Sequence, residues 1–322
     1  MICADCQFSD NLRALDYASD HVTILMATFN GAAFLQAQLD SFQAQSHRNW
    51  SLLVSDDGSR DETLTILRAF QNENPERRIQ VLKGPQQGFA QNFLSLLRAA
   101  GQTPYAAFAD QDDVWLPQKL QRAIYSLSDT PGPMLYGGRS VIVDADLNEI
   151  GRSPIFRRPP SLSNALVQNI AGGNTMMLNR AALDILQPAS LRANRIVAHD
   201  WWTYQMVMAI GGAVVLDSVP TVLYRQHANN CVGSNITWAD RLRRFTTLWS
   251  GEFRGWREAQ LDALEGVSDR LSEDAIRVIF ASRDLSATNA TRRARALRAT
   301  GVRRQTFVDN AALWISTLAG RA

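Results

Sequence analysis

Apolar, β-prone runs alternate with stretches of helical periodicity over residues 22–109. The β-prone runs lie at 22–27, 51–54, 79–82 and 105–109. Between the first two runs, Leu35, Leu39 and Phe42 recur four and three positions apart, as the buried face of an amphipathic helix does. Strands that alternate with such helices are typical of a parallel sheet covered by helices on both faces. We therefore predict a doubly wound α/β fold with ligands beyond the carboxyl ends of its strands.

Polar clusters follow three of these runs, namely Thr28-Phe29-Asn30, Asp56-Asp57 and Asp110–Asp113. Three carboxylates within the four residues of the last cluster would repel one another if nothing neutralised them. Carboxylate oxygens are hard ligands that suit Mg²⁺ or Mn²⁺, and substrate phosphates commonly complete such a coordination shell. The cluster predicts a metal that holds a phosphorylated substrate. A solvated acidic turn is the alternative, since most charged residues are exposed.

The pattern changes beyond residue 134. Longer strands are predicted at 134–143 and 214–224, with helices near 161–169 and 199–210. After residue 237 no strand is predicted, and several helices follow, one of them capped by Ser272. We divide the chain into an N-terminal extension (1–20), an α/β domain (21–235) and a helical C-terminal region (236–322).

Composition narrows the class of protein. With 46% hydrophobic and 20% charged residues the chain is ordinary for a soluble globular protein. Cys3 and Cys6 form a C-x-x-C pair without the two further ligands of a zinc site, and three cysteines are too few for a disulfide framework. We expect a reducing cytoplasmic setting, with neither a signal peptide nor a membrane span.

Four motifs in order resemble those of the inverting family 2 glycosyltransferases with the GT-A fold. Thr28-Phe29-Asn30 is similar to T-[FY]-N, and residues 55–63 are similar to S-D-D-G-S-x-D-x-T. Residues 110–119 are similar to the metal-binding D-x-D-D-x-W-x-P-x-K, and His199-Asp200 stands at the [EH]-D catalytic motif. The resemblance implies a mixed, mainly parallel sheet flanked by helices. The variants D-Q-D-D-V-W and H-D-W-W are most similar to the bacterial rhamnosyltransferase-like branch, which builds surface polysaccharides.

The resemblance implies roles at the metal. Asp112 is the first choice for a direct ligand, and Asp110 contacts the ribose directly or through the metal. Asp113 orients either one, or caps a helix. His227 adds a nitrogen ligand or is structural, and Arg225 or His227 binds the diphosphate.

The resemblance also assigns the reacting side. Asp200 is the candidate general base that takes a proton from the acceptor hydroxyl, with a helix cap as the alternative. His199 is a variant of an acidic neighbour rather than a proton carrier. Gly173 and Asn174 belong to the acceptor side or form a plain turn. Trp201 and Trp202 are also placed there, where they would desolvate Asp200 and raise its pKa.

The donor pocket is predicted from the first two motifs. Thr28, Phe29 and Asn30 are placed against the nucleotide. Asp56 and Asp57 suit the N3–H of uracil or thymine, although one of them is expected to form a turn around Gly58 instead. Three further residues are expected to line the base pocket, namely Gly88, Phe89 and Asn92.

Together these roles predict sugar transfer from a nucleoside diphosphate sugar to a saccharide or polyprenyl-linked acceptor. We expect dTDP-rhamnose first and UDP-hexoses second as donors. A sugar-1-phosphate nucleotidyltransferase is one alternative, but residues 28–33 lack the lysine of its phosphate loop. A non-catalytic nucleotide-sugar binding module is another, and the joint presence of the acidic cluster and Asp200 argues against it.

The C-terminal region carries an arginine cluster, 292–304, with six arginines and no acidic residue. Together with Phe307 and Ile315 it predicts reversible contact with the inner face of the cell membrane. The competing interpretation packs the apolar residues into the helical region or into a homodimer interface. We expect no nucleic-acid partner.

Overall fold

The computed structural model describes residues 20–128, 130–227 and 251–321. The predicted N-terminal extension, apart from its last residue, lies outside these ranges. All three cysteines and the boundary near residue 235 lie outside them as well.

The described residues form strands and helices in alternation. The strands are β1 (Val22–Thr28), β2 (Trp50–Asp56), β3 (Ile79–Lys83), β4 (Tyr105–Ala109), β5 (Val114–Trp115), β6 (Met134–Val143), β7 (Glu149–Arg152), β8 (Met177–Asn179) and β9 (Ala213–Arg225). The first seven helices are α1 (Ala32–Gln43), α2 (Thr63–Glu73), α3 (Phe89–Ala99), α4 (Lys119–Ser128), α5 (Leu162–Ala165), α6 (Arg180–Ser190) and α7 (His199–Ala209). Four more follow, namely α8 (Glu252–Glu265), α9 (Glu273–Arg283), α10 (Ala290–Thr300) and α11 (Phe307–Leu318).

The nine strands form one mixed sheet in the order β3-β2-β1-β4-β8-β6-β9-β5, with β7 paired to β6. Strands β1 to β4 are parallel, β8 joins them in the antiparallel sense, and β6 and β9 are parallel to each other. The predicted mixed, mainly parallel α/β sheet is confirmed. The chain reverses its winding direction between β1 and β4, and such a switch point opens a crevice at the carboxyl ends of the strands. Thr28 and Asp110 lie at that crevice.

Two hydrophobic cores cover the two faces of the sheet, because successive side chains of a strand point to opposite faces. Ile24 and Met26 pack with residues of α1, α2 and α4. Leu25 and Phe108 pack with residues of α3, α6 and α7. Every residue of β2 and β4 is buried, as expected for parallel strands covered on both sides.

The C-terminal helices extend the second core. Leu264, Ile279 and Leu313 belong to the same buried cluster as the side chains of α7. The Ser272 backbone N–H donates to the carbonyl of Ala209 at the end of α7. Residues 251–321 therefore share a continuous core with the sheet domain. The predicted cap is confirmed, since the Ser272 hydroxyl accepts from the Ala275 N–H.

The predicted arginine cluster is partly used inside the protein. Arg293 is buried and donates to the carbonyls of Ala287, Thr288 and Leu318. Arg304 donates to the Val167 carbonyl. Within the described ranges, no helix has the length and apolar character needed to cross a bilayer.

Candidate active site

The site lies where the carboxyl ends of β1, β2 and β4 meet the end of β9 and the start of α7. Thr28 at the end of β1 is in register with Asp56 at the end of β2. The acidic loop 110–113 follows β4 directly. The polar clusters predicted from the sequence are thus brought to one edge of the sheet.

Asp56 is a structural residue of the turn after β2. Its carboxylate accepts hydrogen bonds from the Thr28 hydroxyl at 2.9 Å and from the backbone N–H groups of Gly58 and Ser59 at 3.1 and 2.9 Å. The Ser59 hydroxyl donates to it as well, at 2.5 Å. The predicted contact with the nucleobase is therefore wrong for Asp56, because both oxygens are engaged and the residue is buried. The alternative, a turn around Gly58, is what the structure shows.

Asp57, unlike Asp56, is only partly buried. Its Oδ1 accepts from the Gln86 backbone N–H at 2.6 Å. A β-carbon on Gly84 would lie 2.6 Å from this oxygen, which is too close for any residue with a side chain, so only glycine fits at position 84. No motif in the sequence marks Gly84 for this role. Asp57 remains the candidate for the nucleobase.

Asn92 lies behind this pocket rather than in it. Its side-chain amide donates to the Ser55 carbonyl at 2.9 Å, and the side chain is buried. The predicted direct contact between Asn92 and the base is therefore wrong. Gly88 precedes α3 with φ of 85°, and nothing lies within 4 Å of the position a β-carbon would take.

A side-chain clamp joins the acidic loop to the loop after β1. Gln111 Oε1 accepts from the Phe29 N–H at 2.8 Å, and Gln111 Nε2 donates to the Phe29 carbonyl at 3.0 Å. The Asn30 side chain accepts from the Arg60 N–H at 2.8 Å. With its backbone held on both sides, Phe29 leaves 56% of its surface exposed at the cleft. The role of Gln111 was missed, because the motif treats its position as variable.

Asp112 and His227 form a pair suited to a cation. His227 Nε2 lies 2.8 Å from Asp112 Oδ2, and both side chains reach solvent. The ring of Phe34 packs against the imidazole with 4.7 Å between centroids. Among the described residues no set of three His, Cys, Asp or Glu side chains converges as a complete metal shell. A carboxylate with an imidazole fits a Mg²⁺ or Mn²⁺ ion whose other positions are filled by a diphosphate and water.

Asp113 is a buried junction and not a direct ligand. Its Oδ2 accepts from the Asn174 side chain at 2.5 Å, and its Oδ1 accepts from the Arg225 N–H at 3.1 Å. Burial, together with the charge of Asp112, raises the pKa of Asp113 to about 8. Its predicted place among the metal ligands is therefore wrong. The cap alternative is also wrong, because α4 begins at Lys119.

Two further predictions fail for related reasons. Asn174 is buried against Asp113, so its side chain belongs to the wall behind the acidic loop and not to the acceptor side. Arg225 is buried and donates from Nε to the Asp112 carbonyl at 2.9 Å and from Nη1 to the Ala145 carbonyl. Its guanidinium secures these two loops rather than reaching a diphosphate in the cleft.

Asp200 lies in the first turn of α7, whose N-cap is Ala198. Its carboxylate accepts from the Trp201 N–H at 2.7 Å and from the Gly173 N–H at 3.1 Å. Burial raises the pKa of Asp200 to about 6, although these bonds and one from the Asn169 side chain oppose the shift. A carboxyl group with such a pKa suits a general base near neutral pH. Asn169 lies outside the four motifs, and no pattern in the sequence indicates this contact.

His199 is buried among aromatic rings beside Asp200. Its ring stacks on Phe93 at 3.8 Å between centroids and meets Phe108 edge-on at 4.9 Å. Burial lowers the pKa of His199 to about 3, so the imidazole is neutral. A β-carbon on Gly173 would overlap this ring, which explains the glycine there. His199 shapes the turn that donates to Asp200.

Trp201 and Trp202 are core residues. Trp202 is completely buried, and the Trp201 indole donates to the Ala165 carbonyl and lies parallel to the ring of Phe253. Their predicted placement on the acceptor side is wrong, because neither indole reaches the cleft.

Asp110 connects the two halves of the site. Burial raises its pKa well above the usual range, and the charges of Asp113, Asp112 and Asp200 add to the shift. Asp200 therefore lies close enough to the acidic loop to affect it electrostatically. The candidate base Asp200 and the Asp112–His227 pair therefore line one crevice.

The family model for glycosyl transferase family 2 matches residues 23–185. The chain belongs to this family. It is 29% identical to the dTDP-rhamnosyl transferase RfbG of Shigella flexneri over 235 residues, which make up 68% of this chain and 77% of RfbG. It is 27% identical over 165 residues to WfgD of Escherichia coli, a UDP-Glc:alpha-D-GlcNAc-diphosphoundecaprenol beta-1,3-glucosyltransferase, with 51% of this chain and 62% of WfgD covered.

Solved structures show the same fold. S. aureus TarS 1-349 in complex with UDP-GlcNAc superimposes with a TM-score of 0.51 at 13% identity, covering 94% of this chain and 92% of that chain. The protein is thus a glycosyltransferase with the GT-A fold, as the four motifs predicted. Its likeness to the rhamnosyltransferase branch is also confirmed, through RfbG.

The proposed cation site at Asp112 and His227 can be tested by substitution. Asp112→Asn and His227→Gln should each weaken binding of a nucleoside diphosphate in the presence of Mn²⁺ by at least about tenfold, because each removes one atom that would coordinate the metal. Calorimetry with and without Mn²⁺ measures the change. Asp57→Asn is the control, and it should weaken binding equally in both conditions. Equal losses with and without Mn²⁺ for Asp112→Asn would remove that residue from the cation site.

The ionisation of Asp200 sets the expected pH dependence. A base works only when deprotonated, so kcat/KM should be half-maximal near the pKa of about 6, become level about one pH unit higher and fall about tenfold per pH unit below it. Asp200→Asn should retain donor binding and lose at least about 10²-fold in transfer. A variant that keeps near wild-type transfer, or a wild-type profile level down to pH 4, would place the base elsewhere.

The Gln111 clamp should act on the donor and not on the metal. Gln111→Ala removes both hydrogen bonds to Phe29, and the KM for the donor should rise about tenfold with kcat little changed. Gln111→Glu keeps the acceptor for the Phe29 N–H, so its KM for the donor should lie between those of the wild type and Gln111→Ala. An unchanged KM in Gln111→Ala would show that the cleft orders Phe29 without the clamp.

Proposed function

We propose that this glycosyltransferase moves L-rhamnose from dTDP-rhamnose, with inversion, to a saccharide carried by a polyprenyl diphosphate in bacterial surface polysaccharide synthesis. The observation that carries the chemistry is the juxtaposition of Asp200, with its raised pKa, and the acidic loop that holds the Asp112–His227 pair. The similarity to RfbG supports the donor, and the similarity to WfgD, whose acceptor is carried by diphosphoundecaprenol, supports a lipid-linked acceptor.

In the proposed reaction, Asp200 accepts the proton of the acceptor hydroxyl while that oxygen forms a bond to the anomeric carbon. The bond between this carbon and the diphosphate oxygen breaks, and its electron pair leaves with the diphosphate. A divalent cation held by Asp112 and His227 would neutralise charge on the departing diphosphate. The N–H groups of Gly173 and Trp201 keep the Asp200 carboxylate oriented.

The proposed donor pocket favours a pyrimidine base. Asp57 can accept the N3–H that thymine and uracil share. The exposed ring of Phe29 offers a face for stacking on the base. These contacts do not separate thymine from uracil, so UDP-hexoses stand second as donors.

A lipid-linked acceptor would place the enzyme at the inner face of the cell membrane. The acceptor would approach Asp200 past Gly173, whose backbone contacts that carboxylate.

The test is a panel of labelled donors, dTDP-rhamnose, UDP-glucose, UDP-GlcNAc and GDP-mannose, incubated with Mn²⁺ and a lipid-linked saccharide. Transfer from dTDP-rhamnose should exceed the others by at least about tenfold, a discrimination of about 1.4 kcal/mol. NMR of the product should show the anomeric configuration opposite to that of the donor. Asp200→Asn serves as the inactive control.

Each part of the proposal can fail separately. Preference for a UDP-sugar would overturn the donor and leave transfer standing. Retention of configuration would overturn the role of Asp200. Release of pyrophosphate would favour a nucleotidyltransferase, and binding without turnover would favour a nucleotide-sugar binding module.

A further inference from the structure

Two segments without an acidic residue, 153–163 and 290–308, lie side by side on the surface. We name them together the basic face. Their eight arginines are Arg157, Arg158, Arg292, Arg293, Arg295, Arg298, Arg303 and Arg304. The sequence alone showed only the second segment as a cluster, because the first contributes just two of these charges.

Hydrogen bonds join the two segments. The Arg158 N–H donates to Gln305 Oε1 at 3.0 Å, and Gln305 Nε2 donates back to the Arg158 carbonyl at 3.0 Å. The Ser163 hydroxyl donates to the Thr300 carbonyl at 2.7 Å. The basic face is therefore one surface that the fold fixes in place.

Only some of these arginines bond to groups within the protein. Arg293 and Arg304 bond to carbonyls, and Arg292 pairs with Asp284. In the ranges that the structure covers, no ion pair or side-chain hydrogen bond engages Arg157, Arg295 or Arg298. These three side chains are exposed.

Large apolar side chains are exposed within the same two segments. Phe307 is 82% exposed and Val308 75%, at the start of α11. Ile155 is 55% exposed, three residues before Arg158. Phe307 and Val308 in turn follow Gln305 by two and three residues, so both groups are close in sequence to the Arg158–Gln305 hydrogen bonds. Ile315 lies about two turns of α11 after Val308, on the same face of the helix, and is 59% exposed.

We propose that the basic face docks on an anionic bilayer, with the free arginines at the lipid phosphates and Phe307, Val308 and Ile155 inserted among the acyl chains. Positive charge beside bulky exposed apolar side chains is the composition of interfacial membrane contacts. A two-fold contact with a second copy would set like charges against each other. A nucleic-acid backbone would meet the charges and leave the apolar side chains exposed.

The membrane contact rests on the proposed function only in its purpose, which is to reach a lipid-linked acceptor. Its position suits that purpose, because segment 153–163 leads into α5. The carbonyl of Ala165 in α5 accepts from the Trp201 indole, next to Asp200. The docked face is thus one short helix away from the catalytic helix.

Vesicle co-sedimentation of the full chain tests the proposal. The wild type should sediment with phosphatidylcholine vesicles that contain phosphatidylglycerol, and salt should release it. An Arg157→Gln/Arg295→Gln/Arg298→Gln variant should lose about fivefold in partition per arginine, or about 10²-fold in all. Phe307→Ser/Val308→Ser should also reduce binding. The control Arg68→Gln/Arg78→Gln/Arg270→Gln removes equal charge from exposed positions elsewhere and should bind as the wild type does.

Transfer to a soluble acceptor separates this proposal from the proposed function. All variants should keep wild-type transfer, since none of the changed residues lines the crevice. A wild type that stays in the supernatant at low salt, or a triple-arginine variant that binds normally, would overturn the membrane contact. Sedimentation velocity showing a dimer that Phe307→Ser/Val308→Ser dissociates, without vesicle binding, would assign the face to a second copy. Binding to heparin but not to vesicles would assign it to a polyanion.

Discussion

The buried carboxylate of Asp113 is the contact on which the geometry of the active site depends. It joins the acidic loop to Asn174 and to the backbone at the end of β9, so three distant parts of the chain meet at one side chain. A buried carboxylate is costly unless it is hydrogen-bonded and compensated by charge. Arg225, bonded to the Asp112 carbonyl, and Lys119, whose own pKa burial lowers to about 7, lie close enough to interact with it. This arrangement leaves Asp112 beside His227, where a bound cation would favour the charged forms of the neighbouring aspartates.

The sequence predicted the sheet well because its signals are local. Apolar runs followed by polar clusters marked the carboxyl ends of β1, β2 and β4, and the predicted limits of β4 and β6 match the structure. It could not assign roles within each cluster, since the partner that decides them is remote in sequence. Asp56 accepts a hydrogen bond from the Thr28 hydroxyl, 28 residues away, and Arg225 donates to the Asp112 carbonyl, 113 residues away. The two-residue β5 and the three-residue β8 are too short to show a period of alternation.

The errors at Trp201 and Trp202 have a different cause. The helix α7 is apolar almost all round, and such a helix is normally enclosed on every side. The apolar character of α7 therefore indicates that these indoles belong to the core. The motif H-D-W-W instead suggested a place in the cleft, because it sets both tryptophans next to Asp200. Asp200 is the exception in this helix, because its place in the first turn puts its carboxylate at the helix N-terminus and at the edge of the crevice.

The position of Asp200 explains why the C-terminal helices matter to a site they do not line. Burial pushes its pKa up, while two backbone N–H donors and the positive end of the helix dipole favour the charged form. The balance between these opposing effects depends on where α7 lies. Phe253 packs parallel to Trp201, and Ser272 bonds to the last residue of α7, so α8 and α9 restrain the helix near both ends. The helical region thus supports Asp200 from behind, and the basic face, for which we propose a membrane contact, lies partly on its outer surface.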